Sequence, residues 1–416
     1  MTSRVAQLRT AARFATGLYA GQAKGAYDAY VRRNLFARLR YAPGRDDPYS
    51  IYEQIRTQGP FYVTAMGNLA TVDHAICKEL LRSRRWGVQP EGEDPPEDFD
   101  LSFLDRNPPD HTRLRRLVAP AFSPRRMADF RASIEKTVVG LLHDAAVTGE
   151  FDLVPALASP LPIAVITDLL GIPDADGDAF TRYGVALGGA LAGLRSLRHA
   201  QEVMTANRDL ERMFEEIFEL RRREPGDDLI STLVAAEGDQ IQTDELVPLC
   251  GLLLIAGFET TVNLLGNAVN ALLDHPDQWA ALVAEPSLAG AAVQETLRYD
   301  PPVQRTMRIS FDDTEIAGTP LASGRIVNVL LGGANRDPQV FHEPDTFDLA
   351  RTDGAEHLAF SSGIHHCVGR PLAELEATVA LQTLAERMPD LRRAGAVRRR
   401  NATLIRGPLS LPVAVG

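Results

Sequence analysis

A single cysteine among glycines and histidines is the part of this sequence that points most directly to chemistry. Residues 360–373 read FSSGIHHCVGRPLA, and Cys367 directly precedes a helical pattern that begins at Leu372. At a helix N-terminus, free backbone N–H groups and the helix dipole favour a thiolate. We expect Gly363 and Gly369 to adopt positive φ angles and to let the backbone approach a flat ligand closely. A thiolate held in this way is a good axial ligand for haem iron.

Two other interpretations of this segment are open. A lone cysteine in an intracellular protein is usually a small buried hydrophobic residue, although glycine and histidine make a poor core composition. Cys367 could also bind zinc together with His365 and His366. Paired zinc ligands are normally separated by roughly two to four residues, and three consecutive side chains cannot all converge on one tetrahedral ion. We therefore favour the iron ligand.

Composition bounds the class of protein. The chain has 416 residues, of which 45% are hydrophobic, and a formal net charge of −11. An acidic chain of this kind is not expected to bind nucleic acid. Its three cysteines, Cys77, Cys250 and Cys367, are too scattered for a disulfide framework, which favours a reducing cytoplasm. Charged residues interrupt the apolar runs, so we predict neither a transmembrane segment nor a signal peptide.

Residues 1–40 differ from the rest of the chain. Apolar and aromatic residues alternate there with basic ones, namely Arg4, Arg9, Arg13, Lys24, Arg32, Arg33, Arg38 and Arg40. This pattern predicts one or two amphipathic helices. Such an N-terminal extension could pack on the body of the protein, or it could contact a membrane surface or a partner.

A long helix is predicted from Thr243 to Asp274, because acids mark its start and Pro276 follows its end. Its middle is apolar all round and should be buried. Into this apolar stretch are placed Glu259 and Thr260, and a buried carboxylate is unfavourable unless it serves a purpose. Gly257 and the adjacent threonines also loosen a helix, so we expect a local opening that could hold water or dioxygen.

A second polar motif precedes the middle of the chain. Residues 107–116 read NPPDHTRLRR, and Asp110 favours a helix start there. His111 and Arg115 then lie one helical turn apart on the same face. Two donors on one face suit an anionic group such as a haem propionate.

Other segments predict ordinary elements. We expect helices at 48–58 and 74–82, a hairpin pairing 61–64 with 69–72, mostly helix from 126 to 223, a helix from near Leu288, and strands at 314–318 and 325–331. Residues 86–105 show no periodicity and form a loop longer than a compact domain usually tolerates without a function. Glu295 and Arg298 are spaced to form an ion pair on a helix.

The motifs together resemble the cytochrome P450 family. The order Phe-x-x-Gly-x-His-x-Cys-x-Gly at 360–369 is similar to the haem-ligand loop of that family, with Ser361 where a glycine is common. Residues 256–261, AGFETT, resemble its oxygen-activation segment. The resemblance covers residues 41–416 and implies one mainly α-helical domain with small β-sheets, in which haem b lies between the long helix and the cysteine loop.

The resemblance implies roles for particular residues. Cys367 is the iron ligand, and Glu259 and Thr260 deliver protons during oxygen activation. The expected haem contacts are His111, Arg115, Ala256, Arg308, Phe360, His365 and Gly369. The expected substrate contacts are Trp86, Leu253, Ala256, Val303, Gln304 and Leu404. Glu295 and Arg298 form a buried structural pair, and Arg351 is its expected third partner.

The resemblance also implies an activity and partners. It predicts a monooxygenase that uses O2 to hydroxylate or epoxidise a lipophilic small molecule, such as a polyketide, terpenoid, steroid or fatty acid. Electrons would come from a ferredoxin, itself reduced by a reductase. The positive charges of Arg113, Arg116 and Arg125 would attract an acidic ferredoxin to this protein. Two alternatives are a peroxide-driven fatty-acid peroxygenase, which generally lacks the acid–alcohol pair, and a non-catalytic haem sensor or carrier.

Overall fold

The computed structural model describes residues 2–93, 100–147, 149–173, 177–190 and 193–416. Helices dominate these ranges, with several short strands between them. The helices are α1 Thr2–Tyr30, α2 Leu35–Arg38, α3 Tyr49–Arg56, α4 His74–Arg82, α5 Asp110–Val118, α6 Pro124–Ala146, α7 Pro160–Leu170, α8 Gly177–Ala190, α9 Leu197–Arg223, α10 Leu229–Ala235, α11 Thr243–Asp274, α12 Pro276–Ala284, α13 Ala289–Tyr299, α14 Leu331–Ala334 and α15 Arg370–Arg387. The predicted fold class is confirmed.

The strands form small sheets. They are β1 Tyr62–Val63, β2 Leu69–Thr71, β3 Trp86–Gly87, β4 Glu150–Asp152, β5 Thr306–Ser310, β6 Thr314–Ile316, β7 Thr319–Leu321, β8 Ile326–Val329, β9 Arg392–Arg393, β10 Arg398–Arg399, β11 Pro408–Ser410 and β12 Pro412–Ala414. The largest sheet has the order β1-β2-β8-β5-β3, in which β2 and β8 run parallel and the other neighbours antiparallel. It carries Arg308 in β5, opposite Val327.

Most of the predicted elements are confirmed, one is wrong in part, and one short strand was not predicted. The hairpin of β1 and β2 and the bounds of α4 and α11 agree with the sequence patterns. The predicted loop at 86–105 is wrong at both ends. Trp86 and Gly87 pair with β5, and residues 102–104 form a 3₁₀ turn; residues 94–99 lie outside the described part. The sequence also missed β4, because three residues are too few to show a strand period.

Helix α11 runs through the large apolar core. The Glu245 carboxylate caps its start by accepting from the backbone N–H of Gln242 at 2.9 Å, while the backbone N–H of Glu245 donates to the carbonyl of Gln242 at 3.1 Å. By length and composition this helix could cross a membrane, but 78% of its most apolar window is buried inside the protein. It packs against four other helices, α7, α8, α13 and α15, and is therefore a central element of the core.

Helix α1 lies on the outside of the protein. Gln22 donates to the backbone carbonyl of Arg195, in the connection between α8 and α9, at 2.6 Å. Tyr41 donates to the carbonyl of Gln22 at 3.2 Å, and its ring contacts Tyr30. Tyr27 and Tyr30 are more than half exposed. The predicted helix is confirmed, and the membrane contact of this segment stays a prediction.

A buried ion network fastens the chain before the cysteine loop to α13. Two hydrogen bonds of 2.8 Å join Arg298 to Glu295, and both side chains are almost fully buried. Arg351 donates its Nε to the same carboxylate at 3.1 Å. Arg298 also donates to the carbonyls of Asn335, Pro344 and Thr346, at 2.7–3.2 Å.

The side chain of Asn335 connects α13 to the chain that leads into the cysteine loop. Its side-chain Nδ2 donates to the carbonyl of Leu297 in α13, and its side-chain Oδ1 accepts from the backbone N–H of Leu358 at 2.7 Å. Leu358 lies two residues before Phe360, whose carbonyl accepts from the backbone N–H of Cys367 at 2.9 Å. The network therefore positions the loop through backbone groups.

Replacing Glu295→Gln should lower the free energy of unfolding by about 3–5 kcal/mol, because two arginines lose their carboxylate in a buried site. Urea unfolding followed by circular dichroism measures this loss. The matched control is Glu135→Gln in the exposed pair of Arg131 and Glu135 on α6, where about 0.5 kcal/mol or less is expected. Equal losses in the two variants would contradict the structural role of Glu295.

Candidate haem-thiolate site

Cys367 lies just before α15, with Gly369 as the residue that precedes the helix and Pro371 in its first turn. Cys367 is accessible to solvent at its surface although many protein atoms surround it, and backbone N–H groups of Gly369 and Arg370 lie near the sulfur. Desolvation by the surrounding protein raises the pKa of the thiol, and it outweighs these N–H groups and the charges of Arg115 and Arg370. The helix start therefore lowers the pKa of the Cys367 thiol as expected, but desolvation raises it by more. A metal cation would displace the proton, since the thiolate is the ligand.

Gly363 and Gly369 were both predicted to have positive φ angles and to let the backbone approach a flat ligand. Their observed surroundings differ from this prediction. Gly363 has the expected positive φ of 71°, but the backbone that it approaches is that of α4. A side chain at Gly363 would collide with the carbonyl of Leu81 and the Cα of Arg82. Gly369 has φ −83°, so the prediction of a positive angle is wrong there. A Cβ at this position would lie 3.7 Å from the ring of Phe122, an ordinary contact distance, so packing does not demand a glycine there.

Ser361 adopts the left-handed conformation that its position demands. Its φ is 62°, which L-residues other than glycine adopt with strain. Its backbone N–H donates to the carbonyl of Leu358 at 2.8 Å. Its hydroxyl oxygen is buried without a hydrogen-bond partner among the described residues. The departure from the family pattern therefore changes the residue and leaves the turn in place.

Four cationic or donor side chains converge beside the loop. His111 and Arg115 come from α5, Arg308 from β5 and His365 from the loop itself. The rings of His111 and His365 lie 4.3 Å apart. Burial, reinforced by the charges of the neighbouring arginines, lowers the pKa of His365 to about 2 and that of His111 to about 4. Both histidines are thus neutral near pH 7, while burial lowers the pKa of Arg308 only to about 10.

This cluster has unused hydrogen-bonding capacity. Both ring nitrogens of His111, Nε2 of His365 and Nη2 of Arg308 are buried and have no partner within the described residues. In that part of the chain, no carboxylate shifts the pKa of any of the four groups. Buried polar groups normally have partners, and buried cations normally have counter-charges. The two carboxylates of a haem would supply both, so the donor set fits the cofactor.

Arg115 ties the cluster to the cysteine loop. Its Nη2 donates to the carbonyl of His366 at 2.5 Å, one residue before the thiol. The cation thus fixes α5 against the loop, and its charge also favours the thiolate of Cys367.

The middle of α11 stays a continuous helix. Thr260 turns its hydroxyl back to the carbonyl of Ala256 at 2.7 Å, and Thr261 bonds the carbonyl of Gly257 at 3.0 Å. The expected break in the helix is therefore absent from this segment, although Ala256 is exposed and Thr260 half-buried. Gly257 is small because a side chain there would press on Ile166 of α7.

Glu259 is buried and paired with a residue far away in the sequence. Its Oε1 accepts from Nη1 of Arg400 at 2.8 Å, and its own backbone carbonyl accepts from the amide of Asn263 at 2.6 Å. Burial raises the pKa of Glu259 to about 7, against the opposing charge of Arg400. Sequence inspection missed Arg400, since three adjacent arginines near the C-terminus look like an exposed basic turn.

Three of the expected substrate contacts are not in an open cleft. Trp86 is 4% exposed and packs in an apolar cluster with Cys77 and Leu80. Leu253, 4% exposed, packs in the main core. Gln304 is 2% exposed.

The polar end of Gln304 already has partners. Its Oε1 accepts from the hydroxyl of Tyr52 at 3.0 Å, and its Nε2 donates to the carbonyl of Pro301 at 2.7 Å. These bonds fix the side chain of Gln304 within the protein, and its substrate contact stays a prediction. Val303 and Leu404 are both half-buried. Their segments lie side by side, since Val303 forms an antiparallel β-bridge with Ile405 and the backbone N–H of Gln304 donates to the carbonyl of Leu404.

Comparison with known proteins gives consistent matches. The family model described as Cytochrome P450 matches residues 194–388. The chain is 38% identical over 408 residues to Putative cytochrome P450 140 of Mycobacterium tuberculosis, which covers 92% of this chain and 93% of that protein.

Solved structures agree with these matches. Ligand-free CYP164A2 of Mycobacterium smegmatis has a TM-score of 0.85 at 40% identity, covering 92% of this chain and 99% of that one. P450BioI in complex with hexadec-9Z-enoic acid ligated acyl carrier protein also has a TM-score of 0.85, at 34% identity, covering 90% and 100%.

Replacing Ser361→Gly should stabilise the protein. Relief of the left-handed conformation contributes about 1–2 kcal/mol, and the larger unfolded-state freedom of glycine removes about 0.5–1 kcal/mol, so the net gain is about 0.5–1 kcal/mol. Urea midpoints measure it. Ser361→Ala is the control, because it removes the unpartnered hydroxyl and retains the strained φ. A lower midpoint for Ser361→Gly, or an equal rise in both variants, would argue against backbone strain.

Proposed function

The chain belongs to the cytochrome P450 family, and we propose that it is a haem-thiolate monooxygenase that oxidises a lipophilic small molecule with electrons from a ferredoxin. The observation that carries this proposal is the exposed Cys367 at the start of α15 beside a cluster of unpartnered donors. One ligand for iron and several donors for carboxylates are what a haem requires of its protein.

The cofactor is proposed to be haem b. Attachment of haem through thioether bonds requires further reactive cysteines, and the other two, Cys77 and Cys250, are fully buried with pKa values raised by desolvation. When bound, the haem supplies the redox chemistry that activates O2, so that one oxygen atom enters the substrate and the other becomes water. In the proposed site Cys367 is the thiolate ligand, and His111, Arg115, Arg308 and His365 hold the propionates.

The remaining chemistry belongs to α11. Reduction of O2 consumes protons, and these must reach a site from which bulk water is largely excluded. We assign their transfer to Glu259 and Thr260. Glu259 exchanges a proton near neutral pH, as a general acid and base should. The Thr260 hydroxyl both donates and accepts hydrogen bonds, so it can orient a water molecule.

A lipophilic substrate is supported by the small and apolar residues that stay accessible. Ala256 is exposed, and Val303 and Leu404 are half-buried next to each other. These groups offer apolar surface and no charge. One solved relative, P450BioI, is bound to hexadec-9Z-enoic acid on an acyl carrier protein. A long aliphatic chain is accordingly the first class of substrate to screen.

Carbon monoxide spectroscopy of the reduced protein tests the central assignment. A strongly red-shifted Soret band, absent in Cys367→Ser, is expected if the thiolate ligates the iron. The control is Thr260→Ala, which should retain the band but release peroxide, so that less product forms per NADH oxidised. A reduced carbonyl band unchanged by Cys367→Ser would overturn the proposal. Product formed with peroxide alone, and not with ferredoxin and NADH, would instead indicate a peroxygenase.

The ferredoxin is proposed to dock beside the cysteine loop, at a surface formed by Arg82, Arg116 and Arg125. All three are exposed and make no ion pair within the described residues. Arg82 ends α4 against Gly363, and Arg116 follows Arg115, which contacts the loop.

One of the arginines expected in this docking surface is occupied elsewhere. Arg113 pairs with Glu245 and Asp110, both at 2.7 Å, so its charge is neutralised within the protein. We replace it with Arg82 in the proposed docking surface.

Charge reversal tests this surface. Arg116→Glu should slow electron transfer from an acidic ferredoxin by about tenfold at low ionic strength, because opposite charges steer the encounter. The difference should nearly vanish in about 1 M salt, where the Debye length is about 3 Å. Stopped-flow reduction of the haem measures the rate. Arg208→Glu, at an exposed and unpaired position of α9, is the control. Equal slowing by both would show a general charge effect and refute the docking site.

A further inference from the structure

We propose that Arg400 is a positioning residue for the proton relay, which holds the carboxylate of Glu259 in one orientation and keeps it able to ionise. This inference rests on the monooxygenase function proposed above. It assigns a role to the C-terminal hairpin, which contributes neither the iron ligand nor the propionate contacts.

The contact itself is short, buried and one-sided. Nη1 of Arg400 lies 2.8 Å from Oε1 of Glu259, and the two side chains are 10% and 4% exposed. Asn263 reaches the same oxygen at the longer distance of 3.5 Å. Oε2 of Glu259 and Nε of Arg400 are buried with no partner among the described residues. One carboxylate oxygen is thus anchored, and the other has unused hydrogen-bonding capacity.

The hairpin that carries Arg400 is packed tightly on α11. The backbone N–H of Arg400 donates to the carbonyl of Gly407 at 3.1 Å. A side chain at Gly407 would collide with Asn263, and one at Gly266 would collide with Pro408. Both glycines therefore allow the hairpin to approach the helix closely. Arg400 is therefore part of a hairpin that is packed on α11, and this packing limits where its guanidinium can lie.

The surroundings leave Arg400 as the dominant charge. Gly188 of α8 lies against Glu259, because a Cβ there would be 2.8 Å from the Cγ of Glu259, and α11 presents the neutral amide of Asn263. The guanidinium of Arg195 lies next to Gly189 and donates to the carbonyl of Asn401, but it is not among the groups that shift the pKa of Glu259. His199 of α9 lies beyond Gly189 and bonds the carbonyl of Ala186. Within the described residues, the pKa of Glu259 responds to burial, to Arg400 and to Asn263.

The sign of the effect follows from these contacts. Burial raises the pKa of Glu259 to about 7, and the charge of Arg400 lowers it. Removal of the cation leaves burial unopposed, so the pKa rises further and the group stays protonated at neutral pH. A carboxyl group that cannot give up its proton cannot pass on the next one. Arg400 therefore keeps Glu259 in its working range.

Infrared difference spectra during a pH titration measure this directly, without turnover. The C=O stretch of a protonated buried carboxyl group, identified by its loss in Glu259→Gln, reports the midpoint of Glu259. In Arg400→Met the midpoint should rise by about one pH unit or more, the usual effect of one nearby opposite charge. Arg400→Lys should lie between that value and wild type, and Arg400→Gln provides a second neutral variant if Arg400→Met does not retain haem.

Arg398→Met is the matched control, because Arg398 is an exposed arginine two residues before Arg400 in the same hairpin. Its midpoint should equal that of wild type. In turnover, the pH dependence of product formed per NADH should shift upward in Arg400→Met by the same amount as the infrared midpoint. In the background of Glu259→Gln, the Arg400 substitution should have no further effect.

Two results would overturn the inference: an unchanged Glu259 midpoint in both neutral variants, or additive losses of coupling in Arg400→Met and Glu259→Gln. Failure of the proposed function appears differently. A protein that forms no product with any donor, but whose Glu259 midpoint still moves with Arg400, would refute the monooxygenase assignment and leave the pairing intact.

Discussion

Uncompensated positive charge beside the cysteine loop is the constraint on which the site depends. Arg308 is buried and has no carboxylate partner among the residues that the structure describes, and Arg115 and two histidines that are neutral near pH 7 belong to the same cluster. A polypeptide that folded for its own stability would place an aspartate or glutamate there, because unpaired buried cations are strongly unfavourable. The arrangement becomes favourable only when an anionic group enters. Cofactor binding and folding stability are therefore linked in this protein.

Rigid elements bring these groups to one place. Helix α5 and strand β5 deliver the donors, and α15 delivers the free N–H groups near the sulfur. The ion network of Glu295, Arg298 and Arg351 fastens the intervening chain to α13, and Asn335 passes that order to the loop. A thiol on an unsupported loop would lie at variable distance from the donors, whereas here each partner is fixed through backbone hydrogen bonds.

The opposite side of the site is organised by helix packing. Gly257, Gly266 and Gly188 each lie where a side chain would press on a neighbouring element, so α7, the C-terminal hairpin and α8 all approach α11 closely. This close approach excludes water from Glu259 and raises its pKa. It also brings Arg400 within hydrogen-bonding distance, which limits that rise. The acid strength of one carboxylate is thus decided by three packed elements.

Local sequence patterns were enough to identify the family and the long central helix, and they predict the iron ligand and the propionate donors. Each is encoded locally, in a short motif or a helical period. Only the tertiary structure decided that Arg113 is neutralised by Glu245, that Trp86, Leu253 and Gln304 are core residues, and that Ser361 carries a strained turn. It alone paired Arg400 with Glu259, 141 residues apart in the chain. The physical reason is that burial and ion pairing depend on which distant segments meet, and no local pattern records that choice.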